Sequence, residues 1–334
     1  MLAEAGQAGA AVARFLSTNA AAIDALADRL RAAPPAAIVT CARGSSDHAA
    51  TYGKYVLETA LGIPVASAAP SIASVFAAPV AQGAERLVIA MSQSGRSPDL
   101  IATVAAHQRA GALVVALVND AASPLAQMAD TLLPLEAGAE RSVAATKSCL
   151  VAMAGLAALA AAWARDAALA AAVRALPDHL SDAFALDWSA AEAPLVAASS
   201  LFVLGRGYGF GIAQEAALKL KETAALHAEA FSAAEVRHGP MTIVRAGFPV
   251  LAFATSDAAG DAVRAVAREF AARGAIVRLA DAGGGGDLPA RATHPAIEPL
   301  LMLQSFYRLT NAVALARGLD PDRPPHLSKV TRTL

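Results

Sequence analysis

Short apolar runs rich in β-branched residues alternate with longer helical runs, and the whole alternation occurs twice along the chain. Ala37 to Cys41 reads as a strand and Ser45 to Ala60 as a helix. Arg86 to Met91 and Pro98 to Ala110 repeat that pair, with Pro98 suited to a first helical turn. Leu113 to Val118, Pro124 to Ala129 and Thr131 to Leu135 continue as strand, short helix and strand. The pattern restarts near residue 199 with a strand at Leu201 to Leu204, a helix at Ile212 to Ala225 and a strand at Phe248 to Ala254. A helix at Ala258 to Ala272, a strand at Ile276 to Leu279 and a long helix at Glu298 to Arg317 complete it. Strands that are apolar throughout, separated by helices, imply parallel sheets covered on both faces, an α/β fold.

Two stretches look like copies. A strand, Ala42-Arg43-Gly44 and a helix ending Glu58-Thr59-Ala60 match a later strand, Gly205-Arg206-Gly207 and a helix through Glu222-Thr223-Ala224. One duplicated unit accounts for this economically, although so few shared residues also fit coincidence. A helical stretch from about Ala144 to Ala172 links the copies. The N-terminus reads as two helices, Ala8 to Phe15 and a second capped by Ser17, Thr18 or Asn19 that runs to about Arg31 before Pro34-Pro35. Gly283 to Gly286 reads as a flexible surface loop rather than an anion cradle, because no helix follows it directly.

A length of 334 residues suits two domains. Hydrophobic residues reach 56%, but much of that is alanine, which buries little area per residue, so the value overstates core strength; large helices and close helix packing fit it. Net charge is -1, and no basic run or basic–aromatic alternation occurs, which argues against nucleic acid as a partner. Cys41 and Cys149 are not spaced as a metal pair and are too few for a disulfide framework; both read as reduced, buried thiols. Glu4 comes early, with no basic region ahead of an apolar block, so no signal peptide is expected. Cys149 to Ala164 is free of charge over roughly 16 residues, slightly short for a membrane span. A buried helix at a domain or subunit interface is expected there, with no membrane partner and a cytoplasmic location.

Three segments carry candidate chemistry. Ser92-Gln93-Ser94-Gly95-Arg96-Ser97 lies between a strand and a helix, where backbone N–H groups, hydroxyls and the helix N-terminus suit a phosphate. Gly44-Ser45-Ser46, with Arg43 beside it, follows the first strand and would lie at the same sheet end, where doubly wound folds bind ligands. Serine–glycine turns also cap helices without binding anything. Glu215, Lys219 and Glu222 are spaced by four and three and share a helical face. That spacing fits a solvated ladder of ion pairs as well as a carboxylate base tuned by an ammonium. His238 precedes Gly239-Pro240 and can transfer protons near neutral pH, and Lys329 stands in a polar tail.

The strings SQSGRSPD (92–99), GAERSVAATKS (138–148), LGRGYGFGIAQEAALKLKETAALHAEAFSAAEVRHGP (204–240) and GLDPDRPPHLSKVT (318–331) occur in this order. On them the chain resembles the sugar isomerase (SIS) family, above all the isomerase half of glucosamine-6-phosphate synthase and its stand-alone deaminase relatives. The resemblance implies N-terminal helices over 1–35 and two tandem SIS domains over 36–175 and 176–317, each a three-layer α/β/α sandwich. An active-site tail over 318–334 would follow. It also implies a homodimer with active sites shared between subunits. Ser92, Gln93, Ser94 and Ser97 fall where the family binds phosphate, with Ser45 and Ser46 in the companion turn. Glu222 falls at the base that moves a proton between C1 and C2, and His238 at the ring-opening residue supplied by the neighbouring subunit. Lys219 falls at an active-site lysine, and Lys329 at the lysine of the C-terminal loop that covers the open-chain sugar. Val143 and Ala145 fall in the sugar-contacting segment. Ala145 departs from the hydroxyl residue the synthases carry there, and Ser97 replaces a threonine.

The synthases also carry an N-terminal glutaminase, for which the stretch opening Met1-Leu2-Ala3 has no room. The resemblance therefore implies deamination of a phosphorylated amino sugar, glucosamine 6-phosphate giving fructose 6-phosphate and ammonia, without metal or cofactor. A deglycase acting on a phosphorylated fructose-amine adduct, a synthase isomerase lacking its glutaminase, and a sugar-phosphate-binding regulator are the alternatives.

Overall fold

The computed structural model describes residues 1–82 and 85–329. Helices α1 (Leu2–Ala5) and α2 (Ala8–Ala32) open the chain. The second is continuous, where the sequence suggested two helices. The expected capping residues bond back into the helix: Ser17 Oγ donates to Arg14 O, and Asn19 Nδ2 donates to Phe15 O at 2.9 Å and Pro134 O at 3.0 Å. Their polar groups are satisfied without a break.

The first alternation is β1 (Ala37–Cys41), α3 (Ser45–Leu61), β2 (Val65–Ser67), α4 (Ser71–Ser74), β3 (Arg86–Ser92), α5 (Pro98–Arg109), β4 (Leu113–Val118), α6 (Pro124–Met128) and β5 (Thr131–Pro134). Helices α7 (Lys147–Ala164), α8 (Ala167–Ala185) and α9 (Glu192–Ala197) follow. The second alternation is β6 (Ser200–Gly205), α10 (Phe210–Ala224), β7 (His227–Ser232), β8 (Pro249–Ala254), α11 (Ala258–Ala272), β9 (Ile276–Asp281), β10 (Leu288–Pro289) and α12 (Glu298–Ala316). The expected helical stretch between the copies consists of α7 and α8, parted where Arg165 takes a left-handed φ of 55° and Asp166 Oδ1 accepts from Leu169 N to start α8.

Two parallel sheets result, ordered β2-β1-β3-β4-β5 and β10-β9-β8-β6-β7. Read from its other edge, the second repeats the first strand for strand: β7-β6-β8-β9-β10. This agrees with a duplicated unit. The strands absent from the sequence reading, β2, β7 and β10, all lie at sheet edges. They are short or mix exposed with buried positions, so they lack the apolar run that marks a central strand.

The chain divides into two compact units. The first contains Ala10–Glu140, Lys147–Arg174 and the segment from Ser328; the second contains Met1–Gly9, Arg141–Thr146 and Ala175–Leu327. In the first, Val39, Val88, Ala90, Val114 and Ala116 of the sheet pack against Leu100 and Val104 of α5. Helix α7 is long and apolar enough to cross a membrane, but it packs along α3 and 83% of it is buried. In the second unit, Phe202 and Val250 pack with Val263 and Phe270 of α11. The loop at 283–286 is no anion cradle: Asp281 Oδ1 takes Gly283 N at 2.7 Å, Oδ2 takes Gly285 N at 3.1 Å, and Arg264 neutralises the carboxylate at 2.6 Å.

Candidate active site

In the first unit the chain runs from β1 out to the edge strand β2 and returns at β3. The turns after β1 and β3 therefore flank the point where the strand order reverses. Gly44 precedes α3, so Ser45 and Ser46 stand in its first turn; Ser97 is the N-cap residue of α5, with Pro98 behind it. Ser92 Oγ accepts from Gly95 N at 3.0 Å and Ser94 Oγ from Arg96 N at 3.4 Å, which folds the second turn on its own hydroxyls. Gly95 holds φ +63°, and a Cβ there would stand 2.1 Å from Ser123 Oγ, so this close turn admits glycine alone. Ser45, Ser46, Ser97 and Gln93 hydrogen-bond through their side chains to no protein group among the described residues. They are half-buried and open to a ligand.

Beneath these turns, burial pushes the Cys41 thiol up to about 12, helped by the nearby Asp99 carboxylate. Burial likewise raises the Asp47 carboxyl, against the pull of His48 and Arg43. Asp99, 1% exposed, accepts from Arg43 Nε at 2.9 Å and from Leu100 N at 2.9 Å.

In the second unit, α10 carries the residues expected to do acid–base chemistry. Lys219 is buried with its Nζ 3.4 Å from Glu215 Oε1 and in direct contact with Glu222 Oε2. Side-chain exposure is 1% for Glu215, 1% for Lys219 and 22% for Glu222. A solvated ladder is therefore excluded, and only Glu222 reaches an accessible edge. Tyr307 on α12 donates to Glu215 Oε1 at 3.3 Å, and Thr223 Oγ1 donates to Lys219 O at 2.7 Å while meeting Thr310 Oγ1 at 3.2 Å. A buried ammonium needs such partners, because an unpaired one costs far more than the pair returns.

His238 is exposed and makes no hydrogen bond or ion pair with Lys219 or Glu222. Its loop is held by buried Val236 and by the pair from Arg237 to Glu269 at 2.9 Å. Val143 and Ala145 are half-buried in the short segment that the second unit borrows from the middle of the chain. Glu4 accepts the N–H groups of Arg141 and Ser142, and Val143 N donates to Asp322 O at 3.2 Å, so the first half of this segment is tied down. Lys329 belongs to the first unit, its Nζ 3.6 Å from Glu140 Oε2. Glu140 is buried and also accepts Ser148 Oγ at 2.6 Å and Ser148 N at 3.2 Å at the start of α7.

The two halves have diverged at equivalent corners. The turn after β8 matches the serine turn after β3, yet Glu298 fills it. Its carboxylate accepts Ser256 N and Ser256 Oγ at 2.7 Å each and Thr293 N at 3.0 Å, and it is fully buried. Sequence reasoning passed over Asp99, Glu140, Glu298 and Tyr307. A lone tyrosine on the apolar α12 was the one available signal; the acids stand in ordinary first-turn or loop positions.

The SIS domain model matches residues 33–162 and 195–294 of the chain. Glutamine–fructose-6-phosphate aminotransferase (isomerizing) from Symbiobacterium thermophilum is 33% identical over 326 residues, covering 91% of this chain and 52% of that protein. The chain spans about half the length of the curated relatives it matches. A crystal structure from Silicibacter pomeroyi, provisionally described as a phosphosugar isomerase, superposes with a TM-score of 0.90 at 44% identity, covering 96% of this chain and 99% of the other. Glucosamine-6-phosphate deaminase from Thermotoga maritima shares the fold, with a TM-score of 0.80 at 22% identity and 99% coverage of both chains.

Proposed function

The chain belongs to the SIS domain family, and on that premise we propose that it is a phosphosugar isomerase that deaminates an amino-sugar 6-phosphate. Glucosamine 6-phosphate going to fructose 6-phosphate and ammonia is the lead case. The observation that carries the reading is α10: a buried lysine between two carboxylates, of which Glu222 alone reaches an accessible edge. A carboxylate so placed can take a proton from one carbon and return it to the next while the ammonium stays fixed. The aminotransferase relative is named for fructose 6-phosphate, the ketose this reaction would release.

In this reading the serine turns hold the phosphate and His238, from a second subunit, opens the ring. Glu222 removes the C2 proton and delivers it to C1, leaving an imine at C2. Water adds to that carbon, the C–N bond breaks, and ammonia leaves with the ketose. Lys219 and Lys329 balance charge on the open chain, and Val143 and Ala145 line the sugar. Incubation of the protein with glucosamine 6-phosphate should release ammonia and fructose 6-phosphate together. Glu222→Gln should lower turnover by about 10²–10⁴-fold with phosphate affinity retained; activity equal to the parent would end the mechanism. The small side chain at Ala145 also suits a bulkier amine, as on a phosphorylated fructose-amine adduct. Parallel assays of amine release from both substrates separate the two readings.

A further inference from the structure

Two carboxylates sit where this reading puts an anion. Asp47 lies in the first turn of α3 and Asp99 in the first turn of α5. These helix ends carry partial positive charge, which an acidic side chain offsets. Each carboxylate thus opposes a phosphate at the serine turns. Asp99 does not stand alone. Its Oδ2 meets Arg43 Nε at 2.9 Å and Nη2 at 2.8 Å. Arg43 immediately precedes Gly44-Ser45-Ser46, and Asp99 follows Ser97-Pro98, so this pair joins the two turns directly. The Arg43 side chain is 50% exposed, and both contacts use the Nε/Nη2 edge of its guanidinium. Its Nη1 corner meets no protein acceptor among the described residues. The neighbouring Arg96 is turned to Asp120, at 2.8 Å.

We infer that Arg43 is the cation that lets this cradle hold a phosphate dianion: it cancels the buried Asp99 charge and presents its remaining N–H corner to the ligand. The inference rests on the sugar-phosphate reading above. Arg43 is a binding and positioning residue, remote from the carbon chemistry. A planar guanidinium suits the task because one edge can grip a carboxylate while another meets a phosphate oxygen.

The test is the dissociation constant of inorganic phosphate, measured by calorimetry on the full chain and on Arg43→Gln, Arg43→Lys and Asp99→Asn, with melting curves as the folding check. Loss of a charge-assisted contact predicts binding weakened by about tenfold or more in Arg43→Gln, with Arg43→Lys falling between it and the parent. Asp99→Asn removes an opposing charge and keeps the arginine, so it should bind phosphate at least as tightly as the parent. Arg43→Gln binding within about twofold of the parent overturns the inference, even if its melting temperature falls. If that variant does not fold, Asp99→Asn decides: binding weakened tenfold or so would make the pair a mere bolt between turns. A parent chain that binds no phosphate defeats the sugar-phosphate reading itself, whereas a binding parent with an unaffected Arg43→Gln defeats only the role given to Arg43.

Discussion

Lys219 and Glu222 were legible because helix geometry puts residues three apart on one face. The burial of Lys219 and Glu215, and the phenol of Tyr307 that meets Glu215, were not; they depend on α12 lying over α10. Two predictions belong to single residues. Cys41, buried with its thiol raised to about 12, should resist alkylation by iodoacetamide at pH 8 and react fully once the chain is denatured, because the thiolate is the nucleophile. Burial holds the Asp47 carboxyl above its ordinary 3.8, with His48 and Arg43 pulling it down. A carboxyl raised in the folded state supports folding below that ordinary value and loses this support as pH rises through the folded-state value. Ionised Asp47 is therefore a net cost at pH 7. Asp47→Asn should raise the melting temperature at neutral pH, and the gain should shrink as pH falls toward 3.8 and below.

Among the elements, the strands and helices of the sheet centres were read to within a few residues, since each depends on an apolar run or a period that nearby residues set. The continuous α2 and the edge strands were not, because Asn19 finds its second acceptor at Pro134, 115 positions away, and β7 gains its identity by pairing with β6. The turn between β3 and α5 shows how an element end can be shaped into a candidate site. Its shape needs φ +63° at Gly95 with Ser123 pressed against the missing Cβ. Gly95→Ala should cost about 3 kcal/mol, combining a left-handed alanine with overpacking, and should weaken phosphate binding as the serines shift. Denaturant melts and phosphate titration of that variant check both parts.

At the scale of the whole molecule, two copies of one topology present different polar groups at matching turns. The first keeps open hydroxyls at its β3 turn; the second closes the matching turn with Glu298. Removing that acceptor leaves three N–H and O–H groups to find water, so Glu298→Ala should lower stability by about 2 kcal/mol, read as a shifted denaturant midpoint. Phosphate should still bind at the first unit's turns, and a variant that lost it would put the cradle elsewhere. The sequence by itself determined the class of fold, the doubled alternation, the position of both serine turns and the acidic stripe of α10. Each of these rests on interactions within a few residues or on a run of like residues. Only the tertiary structure decided which polar groups meet: Arg43 with Asp99 across 56 positions, Glu298 with Ser256 across 42, and Lys329 with Glu140. Burial makes each of those carboxylates need a partner, and sheet and helix packing, which no local pattern encodes, selects it.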